Sequence, residues 1–472
     1  MTCGNIAELV TSLEGALSLS PEGVRVTDEQ ALRSKVVDSL IHHAVFHADG
    51  EVRQASRWLI RQAAASLGIF PSSIHPLYVA RGNGECGGFT VPAVNIRTIT
   101  YDCARALLRA ARGRDVGAVV FEIARSEMGY TDQRPSEFAA AVLSAAIKEG
   151  WTGPIFLQGD HFQVNAKRYA TDPEGELQAV RDLISEAMEA GFYNIDIDTS
   201  TLVDLSLPTM DEQQRLNYTI SAEMTAYLRS LEPEGITVSV GGEIGEVGGK
   251  NSTVEELLAY VDGYRRVLAE LNGGLVGLSK ISVQTGTTHG GVVLPDGSVA
   301  EVALDLEALG ELSRAARENY GLAGAVQHGA STLPEEAFHH FPERECAEVH
   351  LATNFQNIIY EHEEFPRELR EAMYEWLYQN CAEERGSDQS DEQFQYKTRK
   401  KAFGPFKRAV WELPEAVKWA ICETLESRFA FLFEQLNVVG TASLVTEHVN
   451  PLEAPHPVPE GLAGLAGLIK LT

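Results

Sequence analysis

From Asp28 to about Leu67 apolar residues return every three or four positions: Val36, Val37, Leu40 and Ile41, then Trp58, Leu59 and Ile60, with a stop at Gly68 and Pro71. That spacing predicts a helical prelude. Beyond Gly88 the period changes to short β-rich runs alternating with helical segments, the pattern of βαβ units around a parallel sheet. The runs are Phe89–Ile96, Val116–Ile123, Pro154–His161, Tyr193–Asp198, Ile236–Gly242, Leu278–Gln284, Gly324–His328 and Ala347–Asn354. Eight parallel strands with right-handed crossovers predict an α/β fold, a (β/α)₈ TIM barrel; pattern alone leaves an open doubly wound sheet as the alternative.

Among the intervening helices, one is capped by Thr253, carries Glu255 and Glu256 in its first turn and presents Leu257, Leu258, Tyr260 and Val261 as an apolar face. Helical spacing continues through Tyr360–Asn380, the polar stretch Glu383–Gln395 reads as a loop, and Glu415–Leu436 carries a stripe of Ile421, Leu425, Phe429 and Leu432. That stripe can pack on the barrel or on another subunit. Four prolines in Asn450–Pro459 predict an extended arm. The expected organisation is an N-terminal helical extension (1–85), the barrel (86–380), a C-terminal helical region (381–449) and an extended tail (450–472).

Composition narrows the function. The 472 residues are 44% apolar and 22% charged, enough for a large core. A net charge of -28, from 67 acidic and 39 basic residues, argues against nucleic acid and anionic membranes as partners. A small anionic substrate stays compatible, since main-chain N–H groups, a cation and an arginine can outweigh a screened distant field. Six scattered cysteines suggest reduced thiols. With no basic and apolar leader and no run of about 18 apolar residues, a cytoplasmic location is expected.

Reacting groups in barrel enzymes lie at the carboxyl ends of the strands. There the chain reads Gln158-Gly-Asp160-His161 on the third strand, Gly242-Glu243-Ile-Gly-Glu246 on the fifth, Thr288-His289-Gly290 on the sixth and His328-Gly-Ala-Ser331 on the seventh. Three imidazoles with a free coordination position describe a catalytic site for zinc or a similar divalent cation. Asp160 is placed to transfer protons. Neighbours in a strand face opposite ways, so Asp160 and His161 share the site only if the strand ends and the backbone turns, as Gly159 allows. A competing chemistry starts from Lys280 on the sixth strand as a Schiff-base nucleophile.

Over roughly Phe89 to Asn357 the ordered set of Pro92-Ala-Val-Asn95, Gln158-Gly-Asp160-His161, Ile197-Asp198-Thr-Ser200, Glu243-Ile-Gly245-Glu-Val-Gly248-Gly249, Thr288-His289-Gly290, His328-Gly329-Ala-Ser331 and Asn354 resembles the class II, metal-dependent fructose-bisphosphate and tagatose-bisphosphate aldolases. The resemblance implies a lyase of carbohydrate metabolism such as glycolysis, cleaving a ketose (bis)phosphate reversibly to dihydroxyacetone phosphate and an aldehyde through a metal-stabilised enediolate. By position, it implies His161, His289 and His328 as metal ligands, with Glu243 meeting the metal when it shifts. It also implies Asp160 as the proton-transferring residue and Gly290, Gly329 and Ser331 around the ketose-side phosphate, often with a monovalent cation. Asn354 would contact the enediolate; Asn95 and Asn357 join the substrate set, and Arg408, after a basic stretch, is the candidate for a distal phosphate.

This sequence departs from the family at Lys250-Asn251, where acidic residues are usual, leaving Glu246 as a candidate proton carrier, and at Ala330, Gln356 and Asn357. The departures keep a second reading in view, a non-catalytic aldolase-like scaffold or partner subunit. The terminal helical additions suggest a homo-oligomer.

Overall fold

The computed structural model describes residues 3–463 apart from 14, 21–22, 246–248, 289, 292–293, 295–299 and 301–303. Eight strands close a parallel barrel: β1 (Val91–Asn95), β2 (Val120–Ala124), β3 (Gly153–Gln163), β4 (Asn194–Asp198), β5 (Ser239–Glu243), β6 (Lys280–Val283), β7 (Ala325–Gln327) and β8 (Glu348–Leu351). Sequence neighbours pair throughout, and β8 pairs with β1 to complete the ring. Each predicted run overlaps one of these strands, with carboxyl ends that lie one or two residues later at β2, β3 and β5. Helices cover the outside, so both faces of the sheet are dry, and the strand cores read Val-Phe-Glu-Ile or Ile-Phe-Leu rather than as a strict alternation.

The outer helices end where their sequences say they should. Thr253 and Glu256 cap Val254–Leu271 reciprocally, and glycines in the left-handed region (Gly150, Gly191, Gly321) stop Pro135–Glu149, Pro173–Ala190 and Leu306–Tyr320. The C-terminal helix Glu415–Gln435 lays its Leu425 and Phe429 stripe on the barrel, against Thr100–Arg112.

Two local expectations change. The prelude is not purely helical: an antiparallel hairpin (Leu17–Ser20 with Gly23–Val26) precedes it, and the helix breaks after Phe46, where Asp49 caps a new one, Gly50–Ser66. Part of the expected loop at Glu383–Gln395 is helical, because Ser390 and Gln393 cap each other to start Asp391–Thr398. Hydrophobic periodicity could show neither feature.

The N-terminal additions also close the barrel from below. Ile69–Pro71 pairs in parallel with the start of β3, and the helix His75–Gly82 crosses the ends where the strands enter. Fully buried Arg81 donates to the carbonyls of Phe89, Ala323, Glu345 and Cys346, just ahead of β1, β7 and β8. Tyr78 donates its hydroxyl to Glu348, the first residue of β8. All six cysteines are free thiols, and among the described residues no helix is long and apolar enough to cross a membrane.

Candidate metal and proton-transfer site

Strand alternation decides which side chains fill the barrel. Facing inward are Gln158 and Asp160 from β3, Asp196 and Asp198 from β4, Lys280 and Ser282 from β6, and Glu348 and His350 from β8; Glu122 and Glu243 join them. His161 should face away from its neighbour Asp160. Instead it sits in the left-handed region, φ 41°, inside a bulge that shifts the β3–β4 register between Gly159 and Phe162. The strand does not end at Gly159, as expected, but continues to Gln163, and the bulge turns both side chains inward. Gly159 serves another purpose: a Cβ there would meet the Phe162 ring at 2.4 Å.

The imidazoles are held from behind, which fixes the nitrogen each presents. His161 Nδ1 lies 2.9 Å from Asp198 Oδ2 and 3.0 Å from Glu243 Oε2, so Nε2 faces Asp160 Oδ1 at 3.8 Å. His328 Nε2 contacts Ser282 Oγ at 3.1 Å, leaving Nδ1 4.0 Å from the same Asp160 oxygen. The two rings are 4.2 Å apart. One ligand atom from each of Asp160, His161 and His328 lies within 4.8 Å of the others, and two imidazoles beside a carboxylate form a donor set that fits a divalent cation. His289 and Glu246 lie outside the described residues.

Burial strains the charges in this cluster. Glu243 is pushed up to about 8 by burial and by the neighbouring Asp198 carboxylate. Asp198 moves the other way: burial would raise it, but hydrogen bonds from His161, Ser200 and Gln163 hold it below the usual range. Deeper in the barrel, Lys280 Nζ contacts Gln158 Oε1 at 2.8 Å, Asp196 Oδ2 at 3.0 Å and Glu348. Burial opposes the ammonium, yet Asp196 and Glu348 raise its pKa above the ordinary lysine value. An amine held protonated is a poor Schiff-base nucleophile.

A cavity of about 510 Å³ opens over the cluster and is lined by Asn95, Asp160, His161, Gly290, His328, Gly329 and Ser331 among the expected residues. Gly329, at φ 69°, packs so closely that a Cβ would meet Thr287 Oγ1 and the Thr288 carbonyl at 3.0 Å. Ser331 Oγ accepts from the Ala352 N–H at 2.7 Å. Arg97, Arg125, Arg168 and Lys400 supply positive charge around the opening. The Lys400 ammonium is lowered to about 8 by burial and by Arg97.

Other expected residues stand apart from this cavity. Asn354, on the helix Thr353–Glu361, is not in its lining, and Asn357 is engaged with Tyr396 at 3.1 Å and Arg399 at 2.5 Å. Arg408 is exposed, bonded to Glu412 at 2.7 Å and lying over the Phe46 ring. The departures at 250 and 251 also turn away: Lys250 pairs with Glu256 at 2.6 Å, and Asn251 bonds Asp305 at 3.3 Å. Gln356 has a supporting role, accepting from Arg97 at 2.8 Å.

Glu122, His350, Arg97 and Lys400 are among the participants that the sequence does not single out. Glu122 had a signal, a charge in the middle of an otherwise apolar buried strand. His350 had one too, sharing inward parity with Glu348 on β8. A larger cavity, about 600 Å³, lies beneath Ala454–Pro457 and shares no residue with the cluster.

The family model of class II fructose-bisphosphate aldolase matches residues 83–410. No curated protein matches the sequence. Among solved structures the chain is similar to fructuronate-tagaturonate epimerase UxaE from Cohnella laeviribosi, at 12% identity and TM-score 0.53, covering 88% of this chain and 91% of that one. It is also similar to a protein from Sinorhizobium meliloti described as a tagatose 6 phosphate kinase (18%, TM-score 0.50, 80% and 97%). A third is fructose-bisphosphate aldolase from Campylobacter jejuni (18%, TM-score 0.45, 79% and 97%). At these identities the likeness is one of fold. The match over residues 83–410 covers most of the chain, which belongs to the class II fructose-bisphosphate aldolase family.

Proposed function

We propose that this chain is a lyase that cleaves a ketose (bis)phosphate reversibly to dihydroxyacetone phosphate and an aldehyde. The observation that carries the reading is the position of Asp160, whose Oδ1 faces both His161 Nε2 and His328 Nδ1 on the floor of the cavity. His161 and His328, with His289 as the expected third imidazole, would hold a divalent ion, with zinc favoured by the nitrogen donors. Such an ion supplies Lewis acidity toward a carbonyl oxygen.

The protein side chains do the rest. Asp198 and Glu243 orient His161, and Asp160 carries the proton exchanged with the substrate carbon or hydroxyl. Gly290, Gly329 and Ser331 border the space for a phosphate, where a monovalent cation would also sit, while Arg97 and Lys400 supply charge for a second anionic group. Lys400 thereby takes the distal role expected of Arg408.

A second reading is inversion of a ketose acid, in which the aldehyde fragment turns and rejoins before release. The cations at the opening favour it, since guanidinium and ammonium groups suit a carboxylate as well as a phosphate, and the shared fold with an epimerase extends past the family segment. Both readings begin with cleavage of the same kind of bond.

The test uses full-length protein, stripped with chelator and reloaded with Zn²⁺. Fructose and tagatose bisphosphates are offered with enzymatic detection of triose release, and a ketohexuronate is offered with detection of its isomer by NMR. Zinc-dependent triose release, reduced about a hundred- to ten-thousand-fold in Asp160→Asn, is expected. Isomer formation without triose release favours the second reading. Absence of both overturns the enzyme assignment in favour of a scaffold.

A further inference from the structure

Among the described residues, the barrel mouth buries more negative charge than its partners neutralise. Glu122, Asp160, Asp196, Asp198, Glu243 and Glu348 are each at most 6% exposed. Facing them are Lys280, His161, His328 and His350. Buried carboxylates without matching positive charge must take up protons or cations.

Glu122, Asp160 and His350 form a second compact group. His350 Nδ1 lies 3.0 Å from Glu122 Oε2 and 3.2 Å from Asp160 Oδ1, and the three side chains each offer an atom within 4.8 Å of the others. The group does not consist of carboxylates alone, and its imidazole is arranged as His161 is: His350 Nε2 bonds Glu348 Oε1 at 2.7 Å, which leaves Nδ1 for the front. Two further oxygens open here. Glu122 Oε1 and Asn95 Oδ1 are buried without a hydrogen-bond partner, both side chains line the cavity, and Asn95 is the register neighbour of Glu122 across β1 and β2. Asn95 cannot turn its amide around freely, because its Nδ2 is committed to Glu127 Oε2 at 2.5 Å.

We propose that Glu122, Asp160 and His350, with Asn95 Oδ1 alongside, form a second divalent-cation site that shares Asp160 with the first. Carboxylate and amide oxygens with a single imidazole suit a harder ion than the first centre does, Mn²⁺ being the natural probe. Asp160 would serve both centres through Oδ1, the oxygen that faces His161, His328 and His350. This inference rests on the metal centre proposed above.

The experiment loads metal-free, full-length protein with Mn²⁺, removes excess by desalting, counts ions by mass spectrometry and records the EPR spectrum. Two ions per chain with an exchange-coupled signal are expected for the wild type, falling to one ion and an isolated sextet in Glu122→Gln and in His350→Gln. A wild-type count of one overturns the second site and leaves the first centre standing. A count of none overturns both. The wild-type count decides alone, so a variant that fails to fold does not remove the test.

Discussion

His161 Nδ1 lies 2.9 Å from Asp198 Oδ2, and this contact selects the ring nitrogen that faces Asp160. Replacing Asp198 with Ala removes the stronger of two partners, leaving Glu243 at 3.0 Å, a carboxyl that burial pushes up to about 8. Zinc affinity should fall about 10- to 100-fold, the usual cost of losing such a support. Competition with a chromophoric chelator measures it; an unchanged constant would show that Glu243 suffices.

The bulge that brings His161 inward depends on Phe162 folding over Gly159. In Gly159→Ala the new methyl would meet Phe162 Cε1 at 2.4 Å, and both flanking residues belong to the site. Overpacking of this kind costs about 1–3 kcal/mol. Both the unfolding midpoint and zinc affinity should drop together. A stability loss with unaltered zinc affinity would mean that the ring moves without disturbing His161.

Lys280→Met leaves Asp196 and Glu348 facing each other in a dry interior. Loss of one partner from a buried ion pair costs about 3–5 kcal/mol, and urea unfolding should show it. Borohydride added to wild-type protein with a ketose phosphate should leave no adduct on Lys280 by mass spectrometry. A reduced adduct there would revive the Schiff-base mechanism.

His75 gives a clean acid dependence, because its ring touches Ser279 and is remote from the cation cluster. Burial first, and Arg229 second, lower it from 6.5 to about 4. The unfolded chain therefore binds the extra proton between pH 6.5 and 4 while the folded chain does not, so stability rises with pH across that window. The contribution is complete above about pH 6.5 and about 3 kcal/mol is lost on falling below about 4. His75→Gln should flatten that part of the profile in paired denaturant titrations, and parallel curves would refute the assignment.

The barrel was legible because its runs of Val, Ile and Phe sit between strong breakers, and every one of the eight predicted runs overlaps a strand. The inward side chains were legible near the carboxyl ends of the predicted runs, as at Asp160 and His328. His350 escaped because attention to the strand end favoured Asn354, whereas the parity set by Glu348 points to residue 350. Glu122 escaped because an isolated charge in an apolar run reads as noise until the facing strands are known. No sequence rule predicted the left-handed conformation of His161. A β-bulge is a pairing property of β3 and β4 together, invisible in either strand alone.

Tyr78 and Arg81 also decide how the interior communicates with water. With the entry ends of β1, β7 and β8 tied by Arg81 and Glu348 covered by Tyr78, the chain of Glu348, His350 and Asp160 opens, among the described residues, toward the cavity. The N-terminal segment thus acts as a plug at the entry end, on the side of those groups opposite the one that opens to the cavity.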